Sequence, residues 1–510
     1  CGLLLLLGII NFPCRFYHFY WIRYVVDRAT CNLRSQIYEK LQKLPMSFYS
    51  TSKQGGLIST ILNDSQVFSQ GFRYSVDIIR EPLTALVMLG MALYRDWLLT
   101  MVIVVVSPFF VIIFQSFGRK VRENQNDVQA HISEVTHTVN EGVGGQKVTK
   151  AFNIQKYVLG RFEKAQWKFF LAQVRTTVAE ELAHPLVEFV GAIAFIGVIL
   201  LAHYRINSGA MSTGDFVSFV TALALLMDPI RKFSQANVRL NQAQAAGMRI
   251  FDIFKLPEEK NLGDAVITHF QNEIVVENLT FSYGDGEILK NLSLRVKRGQ
   301  KIAMVGLSGS GKSTLLNILL GFYPVTQGRI TIDGVDLKDI KLSSLRSCLG
   351  LVSQDVFLFH DTIRENLTLG KAVSAEQIEK ALEVSNATNF IKEFPKGLET
   401  IIGDRGTRLS GGQCQRLTIA RAYLHDPQIL LFDEATSSLD NESEKVVQAA
   451  LSKLAGDKTL IAVAHRLSTI QDFDQIYVLH RGCLEEQGTH QELMNLGGEY
   501  AKLYELGMKS

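Results

Sequence analysis

The chain has 510 residues, 47% of them apolar and 20% charged, with a mean hydropathy of +0.11. That is too long for a single core, too apolar for a disordered protein, and greasier than an ordinary soluble enzyme. A net charge of +3 calls for no nucleic acid, and six scattered cysteines with no CxxC pair and no histidine cluster at metal spacing suggest neither a disulfide framework nor a zinc site.

Up to about residue 250 the sequence alternates apolar runs with charged, helix-favouring stretches and holds few turn signals, so it reads as all-α. Membrane spans are predicted at 2–26, 78–94, 97–118, 185–204 and 213–231. The runs at 97–118 and 185–204 carry that reading, because a bilayer crossing needs about 20 apolar residues. The other three are shorter or interrupted, the first by Arg15, His18 and Arg23, and alone would describe buried core helices. Lys and Arg crowd 23–53, 119–168 and 231–239, whereas the turns at 94–97 and 203–214 carry one Arg each, which places the crowded sides in the cytoplasm.

Cys1 opens directly on an apolar run, with no basic segment before it and no small-residue cleavage site after it, so a signal peptide is not indicated. Five spans ending in a cytoplasmic C-terminal half would start outside; a sixth, preceding span is therefore expected in the full-length protein. The long cytoplasmic stretches are helical in pattern, with turns expected at their tips, 50–56 and 152–157. Asp228 sits near the inner end of the last span, and an acid at that depth is a functional candidate. The layout is thus a transmembrane domain over 1–250, a linker over 251–272 and a second domain over 273–510.

The second domain alternates β-branched runs (EIVVENLTF, KIAMVG, RITIDG, LGLVSQ, QILLFDE, TLIAVAH, QIYVLH) with amphipathic helices, which implies a parallel sheet with helices packed on it. Between KIAMV and the following helix stands GLSGSGKST, a GxxxxGK[ST] loop. Its backbone N–H groups, at Gly306, Ser308, Gly309, Ser310, Gly311 and Thr314 among others, are placed to cradle phosphates above a helix start. Lys312 reaches the β- and γ-phosphates of ATP, and the Ser313 hydroxyl ligates Mg²⁺. ILLFDE supplies Asp433 to hold Mg²⁺ or its water and Glu434 to polarise the attacking water. LSGGQ narrows the class: Ser410 reads as an N-cap, and Gly411 and Gly412 leave the N–H groups of the next helix open to an anion, with Gln413 beside them. Two phosphate-binding helix termini in one chain suggest that each serves a different nucleotide in a dimer.

With these motifs in view the chain resembles a bacterial ABC half-exporter of the lipid A flippase and multidrug type, over nearly its whole length. The resemblance implies a helical transmembrane domain followed by an α/β P-loop ATPase domain, working as a homodimer in the cytoplasmic (inner) membrane. By resemblance, Tyr283 stacks on adenine, Gln354 senses Mg²⁺ and contacts the membrane domain, Asp440 links the two nucleotide sites, and His465 contacts the γ-phosphate. Cys414 departs from the arginine of many relatives, which bears on a helix-surface contact. The implied activity is ATP-driven export or flipping of a lipid-like or amphipathic substrate, a lipid A-type lipid or a hydrophobic drug. A peptide exporter of the same fold is the alternative. A non-transporting P-loop ATPase is disfavoured by the apolar runs, and an ATP-gated channel by the absence of a degenerate site or regulatory insert.

Overall fold

The computed structural model describes the chain apart from residues 1, 262, 285, 434–440, 457, 465–466 and 509–510. It divides into two compact units: 1–36 with 59–251, and 37–58 with 252–510.

The first unit is helical. Its helices are α1 (Gly2–Gln42, which ends in the second unit), α4 (Ser65–Arg95), α5 (Trp97–Gly144), α6 (Gln146–Ala151), α7 (Gln155–Asn207) and α8 (Thr213–Lys255, whose last residues belong to the second unit); between α1 and α4 come the short α2 (Met46–Thr51) and α3 (Gln54–Ser59). A proline lies inside each of the five long helices (Pro13, Pro82, Pro108, Pro185, Pro229) without ending it. The α7 and α8 helices each contain a stretch long and apolar enough to cross a membrane. The expected tip turns are shorter than predicted, since α3 takes up Gly55 and Gly56, and α6 directly precedes the turn at 152–154.

The two turns with one arginine each lie at one end of this unit and neutralise one another. Arg205 donates to Asp96 Oδ2 at 2.9 and 3.1 Å, and Arg95 pairs with Asp215 at 3.1 Å. Asp96 also caps α5, accepting from the N–H groups of Leu98 (2.9 Å) and Leu99 (3.0 Å). Behind it pack Ala92, Leu99, Val198, Ala202, Met211, Phe219 and Ala222. The Asp96 side chain is only 1% exposed, and Arg205 24%, so removing the carboxylate leaves both a cation and a helix start unsatisfied. Asp96→Ala is expected to cost about 3 kcal/mol of stability, and Asp96→Asn, which keeps the capping oxygen, distinctly less. Thermal unfolding in detergent followed by tryptophan fluorescence checks the order; equal losses would refute the ion-pair contribution.

The second unit is built on two sheets. One is antiparallel, ordered β2-β1-β4-β5, from β1 (Glu273–Ser282), β2 (Glu287–Lys297), β4 (Gln327–Ile332) and β5 (Val335–Asp336). The other is ordered β10-β9-β3-β8-β7-β6, from β3 (Lys301–Val305), β6 (Leu349–Val352), β7 (Ile429–Asp433), β8 (Thr459–Val463), β9 (Gln475–His480) and β10 (Cys483–Gly488). Its strands β9, β3, β8, β7 and β6 pair in parallel, and β10 closes the edge antiparallel. The single parallel sheet read from the sequence is therefore two sheets: RITIDG and EIVVENLTF belong to the antiparallel one.

Its helices are α9 (Lys312–Leu319), α10 (Leu342–Cys348), α11 (Ile363–Thr368), α12 (Ala375–Val384), α13 (Thr388–Lys392), α14 (Gly411–Leu424), α15 (Asn441–Ala455), α16 (His490–Leu496) and α17 (Glu499–Met508). The α9 helix and both sheets share one core (Leu289, Ile302, Met304, Leu315, Leu319, Leu431), while α11, α12 and α14 form a separate one (Ile363, Leu367, Ile378, Leu417, Ala420). The linker is fixed to this unit. Glu259 donates its backbone N–H to the Lys43 carbonyl (2.7 Å), and its carboxylate takes both guanidinium ends of Arg346 in α10 at 2.7 and 2.9 Å.

Candidate functional site

Ligands of open parallel sheets gather at the carboxyl ends of the strands, and that edge collects the predicted chemistry here. The phosphate loop follows β3, Asp433 ends β7, and Ser353 and Gln354 follow β6. Glu434, Asp440 and His465 lie outside the described residues.

The loop's conformation explains its glycines. Gly306, Gly309 and Gly311 all have positive φ (151°, 79° and 100°), and a Cβ on Gly306 would run into the Leu479 carbonyl. Gly311 then starts α9 without a side chain over the first N–H groups. Lys312 is 6% exposed, and its ammonium donates to the carbonyls of Gly306 (2.8 Å) and Leu307 (3.0 Å) and to Ser310 Oγ (3.4 Å). The cation is thus held beneath the loop, where anionic oxygens cradled by the backbone would meet it. Ser313 Oγ donates to Asp433 Oδ1 at 2.9 Å, joining α9 to β7. Tyr283 is half exposed, its ring held edge-on by Tyr323 (4.8 Å) and Phe281 (4.9 Å), so one surface stays open for stacking. Gln354 is exposed.

LSGGQ begins α14 with a reciprocal cap. Ser410 Oγ accepts from the Gln413 N–H (3.3 Å), and Gln413 Oε1 accepts from the Ser410 N–H (2.9 Å). The S-x-x-Q spacing of a capping box was the available signal for this role of Gln413. Gln415 Nε2, one turn on, reaches the Ser353 carbonyl at 3.4 Å and joins this helix to the loop that carries Gln354. Cys414 is buried among Leu358, Leu417 and their neighbours, where burial pushes its thiol pKa up. Cys414 therefore packs into a core. Burial lowers the Arg416 pKa, and its guanidinium lies over the Phe390 ring at 4.9 Å.

In the first unit a cavity of about 930 Å³ is lined by α1 (Asn11, Cys14, Arg15, His18), α4 (Arg73, Asp77, Arg80, Glu81) and α8 (Asp228, Lys232). Arg80 is paired with Asp77 and Glu81, and Asp228 with Arg231 and Lys232. The wall is therefore of mixed charge, and Asp228 is part of it.

Residues 1–230 match the ABC transporter transmembrane region, and residues 289–437 match the ABC transporter domain. The chain is 35% identical to the ATP-dependent lipid A-core flippase of Syntrophus aciditrophicus, over 99% of this chain and 85% of that protein. The chain belongs to the ABC transporter family. The corresponding flippase of Methylobacillus flagellatus is 40% identical over 95% of the chain and 83% of its own length. Among solved structures, a bacterial Atm1-family ABC exporter with ATP bound superimposes with a TM-score of 0.80 at 28% identity, covering 98% of this chain and 88% of its own. This ABC exporter is a membrane protein of the half-transporter type whose ATPase domain binds ATP and couples its hydrolysis to transport.

Proposed function

We propose that this exporter moves a lipid-like amphiphile, a lipid A-type lipid or a hydrophobic drug, across the cytoplasmic membrane as a homodimer. The mixed-charge cavity of α1, α4 and α8 carries this reading: charged groups for a headgroup stand beside the α8 stretch that is apolar enough to face acyl chains. The names of the flippases it resembles support the lipid class.

In the proposed cycle, ATP lies between the phosphate loop of one subunit and LSGGQ of the other. The two helix termini grow from different cores, so each can serve a separate nucleotide. Lys312 and the loop N–H groups hold the β- and γ-phosphates, and Tyr283 stacks on the base. Ser313 and Asp433, hard oxygen donors in mutual contact, would hold Mg²⁺ with Gln354, and the ion would neutralise charge on the phosphate oxygens. Glu434 orients and deprotonates the attacking water, His465 contacts the γ-phosphate, and Asp440 joins the two sites. ATP drives the closed dimer only through its higher affinity for that state, and the tips near 50–56 and 152–157 pass closure on to the membrane helices.

The test is ATPase stimulation in proteoliposomes by a panel of lipids, lipopolysaccharide precursors, drugs and peptides. Saturable stimulation by phosphorylated or acylated amphiphiles is expected; stimulation by peptides alone would overturn the substrate class.

A further inference from the structure

The three helices that line the cavity are tied together a second time, by contacts that neither the nucleotide site nor the cavity uses. Between α3 and α4 the backbone widens into a π-helical turn, Thr60–Asp64. Arg34 of α1 closes over this turn, donating to the Leu62 carbonyl (2.8 Å), Ser65 Oγ (2.9 Å) and Gln66 Oε1 (3.3 Å). Asp64 is 8% exposed and takes both ends of the α8 guanidinium Arg249, at 2.6 and 2.8 Å. Next to this pair the α4 and α8 surfaces consist of small residues: Ser65 and Ser69 on one side, Ala243 and Ala246 on the other, all buried. A Cβ on Gly71 would strike Ala243, and one on Gly247 would stand 2.8 Å from the Phe68 ring. Such packing resists sliding of one helix along the other.

Position gives these contacts their meaning. The chain passes between its two compact units at three places, after Gln36, after Ile58 and after Phe251. Arg34, the π turn and Arg249 each stand on the membrane side of one passage, within the first turns of helix. From there α4 reaches the cavity wall at Arg73 in about 14 Å, α1 at Ile22 in about 18 Å and α8 at Gln235 in about 21 Å, at the ordinary rise per residue.

We propose that Arg34, Asp64 and Arg249 are positioning residues for transport: they clamp α1, α4 and α8 into one body where each leaves the ATPase unit, so that a nucleotide-driven displacement reshapes the cavity. The π turn presents the Leu62 carbonyl to Arg34 and the Asp64 carboxylate to Arg249, so both arginines converge on one segment. The clamp rests on the proposed export function only for its physiological readout.

The test therefore uses two readouts on the full chain in proteoliposomes. Cys14 lines the cavity, so its maleimide labelling rate, with Cys1, Cys31 and Cys483 replaced by serine, reports cavity shape whatever the substrate. In the parental chain ATP should change that rate. In Asp64→Asn and Arg249→Gln the change should shrink about tenfold while basal ATPase stays within about twofold, in the range of ordinary coupling energies. The charge exchange Asp64→Arg with Arg249→Asp should restore the response, which ties the loss to the pair and not to either side chain alone. Lipid moved per ATP should follow the same order. An undiminished Cys14 response in the single variants, or no response to ATP in the parental chain, would overturn the clamp. A clamp-dependent Cys14 response without lipid movement would overturn the proposed substrate and leave the clamp standing.

Discussion

Glu434→Gln should cut multiple-turnover ATP hydrolysis by a factor of about 10² to 10³ and leave ATP affinity within about threefold of the parental value, because a positioned general base contributes rate and not ground-state binding. Asp433, the preceding residue, closes β7 with its carboxylate against Ser313 Oγ, so the strand end is already committed to the phosphate side of the sheet. The amide of glutamine keeps the size of the carboxylate and its hydrogen-bonding capacity but cannot take a proton from water. Nucleotide should then accumulate between two chains, visible as a stable ATP-dependent dimer on size exclusion in detergent. Single-turnover and steady-state rates, measured with binding of a fluorescent nucleotide, separate the effects. Hydrolysis at the parental rate would remove Glu434 from the base's role.

What could be read from the sequence is whatever chemistry is local in the chain. The phosphate loop announces itself because three left-handed backbone positions demand glycine within six residues, Gly306 to Gly311. Ser410 announces a helix start for a similar reason, since a cap must precede its helix directly. The β2 strand escaped because its alternation breaks at Asn291, which takes a positive φ and shifts the register against β1. The polar β10 has no apolar run to betray it; it exists because β9 offers an edge.

The division into two sheets was hidden because a β-branched run looks alike whether its neighbour runs parallel or antiparallel. Only the connections decide: β1 and β2 are joined by a short polar turn, whereas β3, β7 and β8 are each followed by a helix or a long excursion. Least legible of all were Asp96 with Arg205 and Asp64 with Arg249. Those pairs are separated by 109 and 185 residues, and a charge carries no periodicity that points to its partner.

Lys312→Ala should weaken ATP binding about 100-fold, equivalent to about 2.7 kcal/mol and within what a hydrogen bond to a charged group contributes. The argument rests on where the ammonium stands. Its bonds to the Gly306 and Leu307 carbonyls fix the loop from below, and its charge faces the side from which phosphates would approach. Alanine removes both, leaving the loop's N–H groups without the cation that complements them. Arginine should rescue poorly, because its rigid fork does not fit the space that a compact ammonium fills under the loop. Ligand-induced stabilisation gives an independent measure. At an ATP concentration about 100 times the parental dissociation constant, the parental ATPase should gain about 2.7 kcal/mol, and the alanine variant, whose dissociation constant would then equal the ATP concentration, only about 0.4. Equal stabilisation of the two proteins would show that Lys312 serves the loop's fold and not the nucleotide.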